Sequence, residues 1–400
     1  MKNSTLNYIH IFCWIWFAFT SCERIIPSAP EENELLDGPV EGLSFAQQSQ
    51  FLAGDIAFND EVFTIETGLG PLFVATSCGS CHIGDGKGHP FTTLTRFGQI
   101  SPNSPPNISI GGPQLQHRAI PGYKPEAIPE GQPFMKFTPP AVTGLGFLAA
   151  LTDQQIMGNA DPDDVDGDGI SGIPNYISPP DYFIPQWYHQ PFDGKYLGRF
   201  GKKAAAIDLL QQTVGAYNQD MGISSTFEPI DVATGLITDP EVSDQTVKDV
   251  VFYLRTLKAP IPRTPNDPQV LKGGKIFGAI QCSGCHIPSW TTPESDIEAL
   301  SQKTFYPYTD LLLHDMGPEL DDGVTEGSAE TYEWKTPALW GLGLSPNSQG
   351  GTYFLMHDGR AKSIEEAIIM HGGEASKSKN AFQALSITDQ EALIRFLESL

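Results

Sequence analysis

Basic residues are scarce in this sequence. Lys and Arg number 24 against 48 Asp and Glu, leaving a net charge of -24 over 400 residues. A surface this acidic repels a phosphate backbone, which excludes nucleic acid as a partner and favours a basic protein. Cysteine is also rare, with six in the whole chain, too few to suggest a disulfide framework. No apolar run is long enough to span a bilayer, since the stretch from Ile9 to Phe19 falls well short. Charged residues make up only 18% of the chain, yet 40% are hydrophobic, which excludes disorder. Gly (40) and Pro (33) are abundant instead, so short helices held apart by ordered loops are expected. The length favours two domains, because a single core stops growing below this size.

Residues 1–21 read as an export signal: Lys2, the apolar run, then Thr20-Ser21 before Cys22. Phe19-Thr20-Ser21-Cys22 resembles a lipobox, with Phe19 where Leu is more usual. Cys22 would then carry lipid and hold the protein on the periplasmic side of a membrane, the alternative being an ordinary signal cut nearby. Cys13 leaves with the signal. The remaining four form two close pairs, and none is left for a structural disulfide.

The pairs read Cys78-Gly79-Ser80-Cys81-His82 and Cys282-Ser283-Gly284-Cys285-His286. Two thiols three residues apart on a helical turn can reach both vinyl groups of one porphyrin, and the histidine that follows is delivered beneath the iron. Two covalently bound haem c groups are therefore expected. A thioredoxin-like dithiol or a zinc site would explain the pairs without needing either histidine, and no βαβ context for the dithiol is visible.

Other segments echo across the chain. Pro140-Ala-Val-Thr-Gly-Leu-Gly-Phe147 recurs as Pro337-Ala-Leu-Trp-Gly-Leu-Gly-Leu344, and Val250–Leu257 parallels Leu393–Leu400, each with helical periodicity. Ser243 and Asp244 start the earlier helix, while Thr388 with Glu391 offers a capping box for the later one. Pro260-Ile-Pro262 and Pro265 to Pro268 form a stiff linker, and Val270 to Ile280 predict a helix leading into Cys282. The expected architecture is mainly α: a cytochrome c-like domain over 22–259 with the first haem and another over 260–400 with the second, joined by long loops.

Further stretches carry a resemblance. They are Tyr306 through His314 to Gly317, Glu333 to Gly343, His357-Asp-Gly-Arg360, Glu365-Glu366-Ala367 and His371-Gly-Gly-Glu374. Earlier ones are Asp161 to Gly172, Leu197-Gly-Arg-Phe-Gly201 and Asp220-Met-Gly-Ile-Ser-Ser225. Together they resemble the di-haem oxidoreductases related to bacterial di-haem cytochrome c peroxidases. The resemblance implies one haem that meets substrate and one that stores or relays an electron. It also implies hydrogen peroxide as substrate and a small donor protein, a cytochrome or cupredoxin. Rival readings are a non-enzymatic di-haem carrier and the oxidation of a protein or organic partner.

Six histidines besides the signal's His10 and the proximal His82 and His286 could complete an iron: His89, His117, His189, His314, His357 and His371. The related peroxidases place the second haem's distal ligand shortly after an HDG element, where Met370 and His371 stand side by side. His371 is favoured, because imidazole binds iron more strongly and Gly372-Gly373 lets the backbone approach. The first half has no HDG counterpart, so the His82 haem is expected to be open and catalytic. Relatives carry a distal Glu where this chain has Ala149, and nearby Asp153 has no evident place. Trp187, Trp334 and Trp340 are possible relays that equally well pack. Asp164, Asp166 and Asp168 alternate as in a calcium loop, but Asn175 stands where a bidentate Glu belongs, leaving calcium and a solvated turn both open.

Overall fold

The computed structural model describes residues 30–104 and 113–400. The expected signal, residues 1–21, and Cys22 lie outside them. Helix accounts for about 34% and strand for about 10%, with loops making up the rest. The mainly helical expectation is thus met only in part. Gly and Pro break the chain so often that extended pieces pair only locally, in five two-stranded antiparallel ladders among the described residues. Among those residues no helix is long and apolar enough to cross a membrane.

Two helix pairs organise the molecule. The first joins α1 (Phe45–Asp55) to α2 (Asp244–Thr256), and the second joins α3 (Pro268–Ala279) to α5 (Ile387–Ser399), with α4 (Ile364–Met370) between them in sequence. Both pairs cross through a glycine. A Cβ on Gly54 would lie 2.1 Å from the Asp249 carbonyl, and one on Gly273 would lie 2.0 Å from that of Ala392, so each crossing requires a bare α-carbon. The Gly-Leu-Gly echoes dock on the same helices. Gly146 abuts the Arg255 carbonyl and Gly343 that of Glu398, six residues beyond the crossing point in both cases. The sequence duplication therefore reflects a duplicated packing scheme.

Ser243 caps α2 by accepting from Thr246 N–H, as read from the sequence. The cap of α5 differs: Ser386, two residues before Thr388, accepts from Asp389 N–H. Thr388 instead lies inside the first turn, where its hydroxyl meets Ser386 Oγ at 3.1 Å.

The cores do not divide at residue 260. Phe51, Phe58, Val250 and Tyr253 share one cluster with Ile297, Leu300, Phe305, Leu311 and Trp340 from the later half. A second cluster around Val270, Phe277, Phe382 and Phe396 belongs to α3 and α5. The two halves are thus fused along residues 297–312, and the space between them forms one cavity.

Candidate functional site

Each cysteine pair sits on a single turn. His82 N–H donates to Cys78 O at 3.0 Å and His286 N–H to Cys282 O at the same distance, so both thiols and the histidine emerge on neighbouring faces. All four thiols are free. Burial pushes Cys78 and Cys282 up to about 12 and Cys81 up to about 11, and it raises Cys285 as well. A redox dithiol needs the opposite, a stabilised thiolate. Nor do the thiols gather at metal-ligand spacing among the described residues, which removes the zinc reading.

The two histidines are held alike. His82 Nδ1 donates to Pro140 O at 2.9 Å and His286 Nδ1 to Tyr308 O at 2.9 Å. That fixes one tautomer and leaves Nε2 as a free lone pair. Burial pulls both rings down to about 4, so each is neutral at pH 7, the form that binds a metal. Cys78, Cys81, His82, Cys282, Cys285 and His286 all face one cavity of about 630 Å³.

His371 faces the same cavity. Its Nδ1 donates to Ala367 O at 2.7 Å, again freeing Nε2, and it lies close enough to His286 to disfavour charge there. Met370 is turned into the second core instead. The other candidate histidines are committed elsewhere. His314 meets Glu374 through Nδ1 at 2.7 Å and Asp310 through Nε2 at 2.8 Å. Burial opposes its charge, but bonds to Asp310, Cys285 and Glu374 outweigh burial and raise the ring well above its ordinary value. His357 gives Nε2 to Asp322 at 2.9 Å and stacks on Trp334 with centroids 3.6 Å apart. His89 accepts from Phe91 N–H and His189 from Gln186 N–H, and neither they nor His117 line the cavity. Trp334 and Trp340 line it, whereas Trp187 is exposed.

A family model described as "Di-haem oxidoreductase, putative peroxidase" matches residues 135–400. The chain belongs to this family. The match contains the second Cys-x-x-Cys-His motif and begins beyond the first. Its members are haem oxidoreductases, and the paired neutral imidazoles with free Nε2 atoms on one apolar cavity fit that cofactor. No curated protein matches the chain. Hydrazine synthase from Kuenenia stuttgartiensis is similar at 15% identity and a TM-score of 0.40, over 94% of this chain and 98% of that one. A MauG-like protein associated with microbial copper homeostasis is similar at 13% identity and a TM-score of 0.41, over 94% of each chain. Likenesses at these scores carry no further inference.

Among the described residues the histidines lining the cavity besides His82 and His286 are His314, His357 and His371, and the wall near the first cysteine pair carries polar residues that sequence reading passed over. Asp220, Gln114, Tyr217 and Arg96 line the wall beside Cys78 and Cys81. Burial pushes the Asp220 carboxyl up to about 6, against a bond from Gln114 Nε2 and the charge of Arg96. Gln114 Oε1 and the Tyr217 hydroxyl are buried with no partner among the described residues. The one sequence signal was the Asp220-Met-Gly stretch, which nothing in the spacing links to His82. Asp153 is committed elsewhere: it pairs with Arg199 and accepts from Gln190 N–H at 2.6 Å. Ala149 contributes its carbonyl to Arg199 and no acid.

The acidic loop is organised differently from the sequence expectation. The carboxylates that approach within 4.8 Å of one another are Asp161, Asp164 and Asp166. Asp168 turns away to accept from Ile170 N–H at 2.7 Å, and Asn175 is buried, bonding Ser328 and Lys203 O. All four aspartates cap loop amides, as Asp and Asn do in turns generally.

Proposed function

We propose that this oxidoreductase is a c-type di-haem peroxidase with two cytochrome c-like halves, in which the His82 haem meets hydrogen peroxide and the His286 haem stores an electron. One observation supports this division: among the described histidines that line the cavity besides the two proximal ones, His371 alone keeps its Nε2 unbonded, and it lies beside His286. Cys78 and Cys81, and likewise Cys282 and Cys285, would carry the thioether bonds. Haem iron supplies one-electron steps, and two haems together hold the two electrons that a peroxide consumes.

The chain's own residues divide the remaining work. Pro140 O and Tyr308 O orient the proximal rings, while Leu145, Leu148 and Val142 keep the wall apolar near His82. Reduction of peroxide to two waters also needs two protons. Asp220, with its carboxyl pushed up to about 6 by burial, is placed to hold one, and Gln114 Nε2 orients it. Asp220 thereby replaces the acid that Ala149 cannot supply.

Export, lipid attachment through Cys22 and a small basic cytochrome or cupredoxin donor complete the reading. The acidic composition supports a basic donor. Steady-state assays with peroxide and a reduced artificial donor test it. Asp220→Asn should lower turnover by about 10²–10⁴-fold with the haem spectra preserved. Unchanged turnover would remove Asp220 from the mechanism, and no peroxide turnover in the wild type would favour the electron-carrier reading.

A further inference from the structure

Lys202 and Lys203 are neighbours with opposite environments. The Lys203 ammonium donates to the carbonyls of Glu330, Thr331 and Glu333 at 2.6–3.0 Å and lies 4.1 Å from the Trp334 ring centroid, so it is fully satisfied. That grip presses the backbone against the strand 333–335, where Lys335 N–H donates to Lys202 O at 3.0 Å. Lys202 and Lys335 are therefore pinned side by side, and both face the cavity. Lys87, five residues after His82, faces it too. Its loop is held from the later half, since Ser348 Oγ donates to Lys87 O and Gln349 Nε2 to Gly88 O, each at 2.8 Å.

Among the described residues none of the three ammonium groups has a hydrogen-bond or ion-pair partner. Burial pulls Lys202 down to about 7, helped by Lys87 and then Lys335, and burial pulls Lys87 and Lys335 down to about 8. Asp358 opposes this weakly at Lys202 and Asp310 at Lys335, but each carboxylate is already bonded, to Arg360 and to His314. Three half-buried cations on one cavity wall with no counter-ion among the described residues are costly, and such charges persist where an anion arrives to pair with them. The anions must fit a cavity shared by two haem attachment motifs, and each haem brings two carboxylate side chains.

We propose that Lys87, Lys202 and Lys335 form a cationic seam that binds the haem propionates where the two halves meet. The proposal rests on the di-haem reading. It makes the seam a positioning device: Lys87 comes from the loop of the first motif, Lys335 from the later half, and Lys202 lies between them. Propionates held there would tie both porphyrins to one set of charges. A cation near a haem also favours its reduced form, so the seam would raise the potential of any haem it touches.

The test uses the haem-loaded full chain, with Lys202→Gln, Lys335→Gln and Lys87→Gln, and with Lys202→Arg as the charge-preserving control. Haem content per chain is measured first, because a wild type with fewer than two haems overturns the di-haem reading and the proposal with it. With two haems present, the Gln variants should shift the propionate bending bands in resonance Raman spectra. They should also lower at least one midpoint by about tenfold in the reduction equilibrium, about 59 mV for one electron. Lys202→Arg should restore both. Unchanged bands and midpoints in all three Gln variants, at full haem content, would overturn the seam. So would bands that respond to the lysines only when free acetate is added, which would assign the cations to a carboxylate substrate.

Discussion

Replacing Asp153 by alanine should unfold the protein far more easily while leaving any surviving haem chemistry intact. Arg199 and Asp153 are each about 1% exposed and paired with one another. The guanidinium also bonds the carbonyls of Ala149 and Leu151, and the carboxylate caps Gln190 N–H. Removing the carboxylate leaves a buried cation with neutral acceptors only, a loss of about 3–5 kcal/mol where a buried pair is broken from one side. Asp153→Asn keeps an acceptor for Arg199 and should cost less, because only the charge disappears. Guanidinium titrations of haem-loaded wild type, Asp153→Ala and Asp153→Asn, read by far-ultraviolet circular dichroism, give the comparison. A loss below about 1 kcal/mol for Asp153→Ala would refute the reasoning. So would a stable Asp153→Asn variant whose peroxide turnover collapses, since that would make Asp153 part of the chemistry.

Other expectations follow from the same geometry. Gly273→Ala would drive a methyl to 2.0 Å from the Ala392 carbonyl and part α3 from α5. It should cost about 1–3 kcal/mol despite the better helix propensity of alanine, as measured by the melting temperature. The buried Asp85 accepts from the Tyr253 hydroxyl at 2.6 Å, yet burial pushes it up to about 6. The native state therefore binds more protons than the unfolded chain between the ordinary carboxylate value and about 6. Stability should fall as pH rises through that window, and Asp85→Asn should flatten the slope. Cys78→Ala combined with Cys81→Ala should abolish one of two covalent haems on a haem-stained denaturing gel, and an unchanged stain would sink the assignment at that motif.

Much of this is legible in the sequence. The CxxCH motifs carry their geometry in their spacing, and the echoes at Gly146 and Gly343 marked the points where both halves dock on their terminal helices. Ser243 was readable as a cap because the cue is local. The cap of α5 was misread as Thr388 because Ser386 and Thr388 both carry a hydroxyl before a helical run, and only the backbone decides which accepts from the first turn. The merging of residues 297–312 into the first core left no trace, since periodicity says which residues are buried but not against what. Asp220 and the three lysines escaped for the same reason. Their roles come from enclosure in a cavity assembled from segments more than a hundred residues apart, whereas Asp153 was prominent in sequence and proves to be tied to Arg199.

The division of labour between the haems is tested most directly by spin state. Electron paramagnetic resonance and optical spectra of the oxidised protein should show one high-spin haem and one low-spin haem. His371→Ala should convert the low-spin signal and leave the other untouched. Two low-spin haems, before and after reduction, would contradict an open iron at His82.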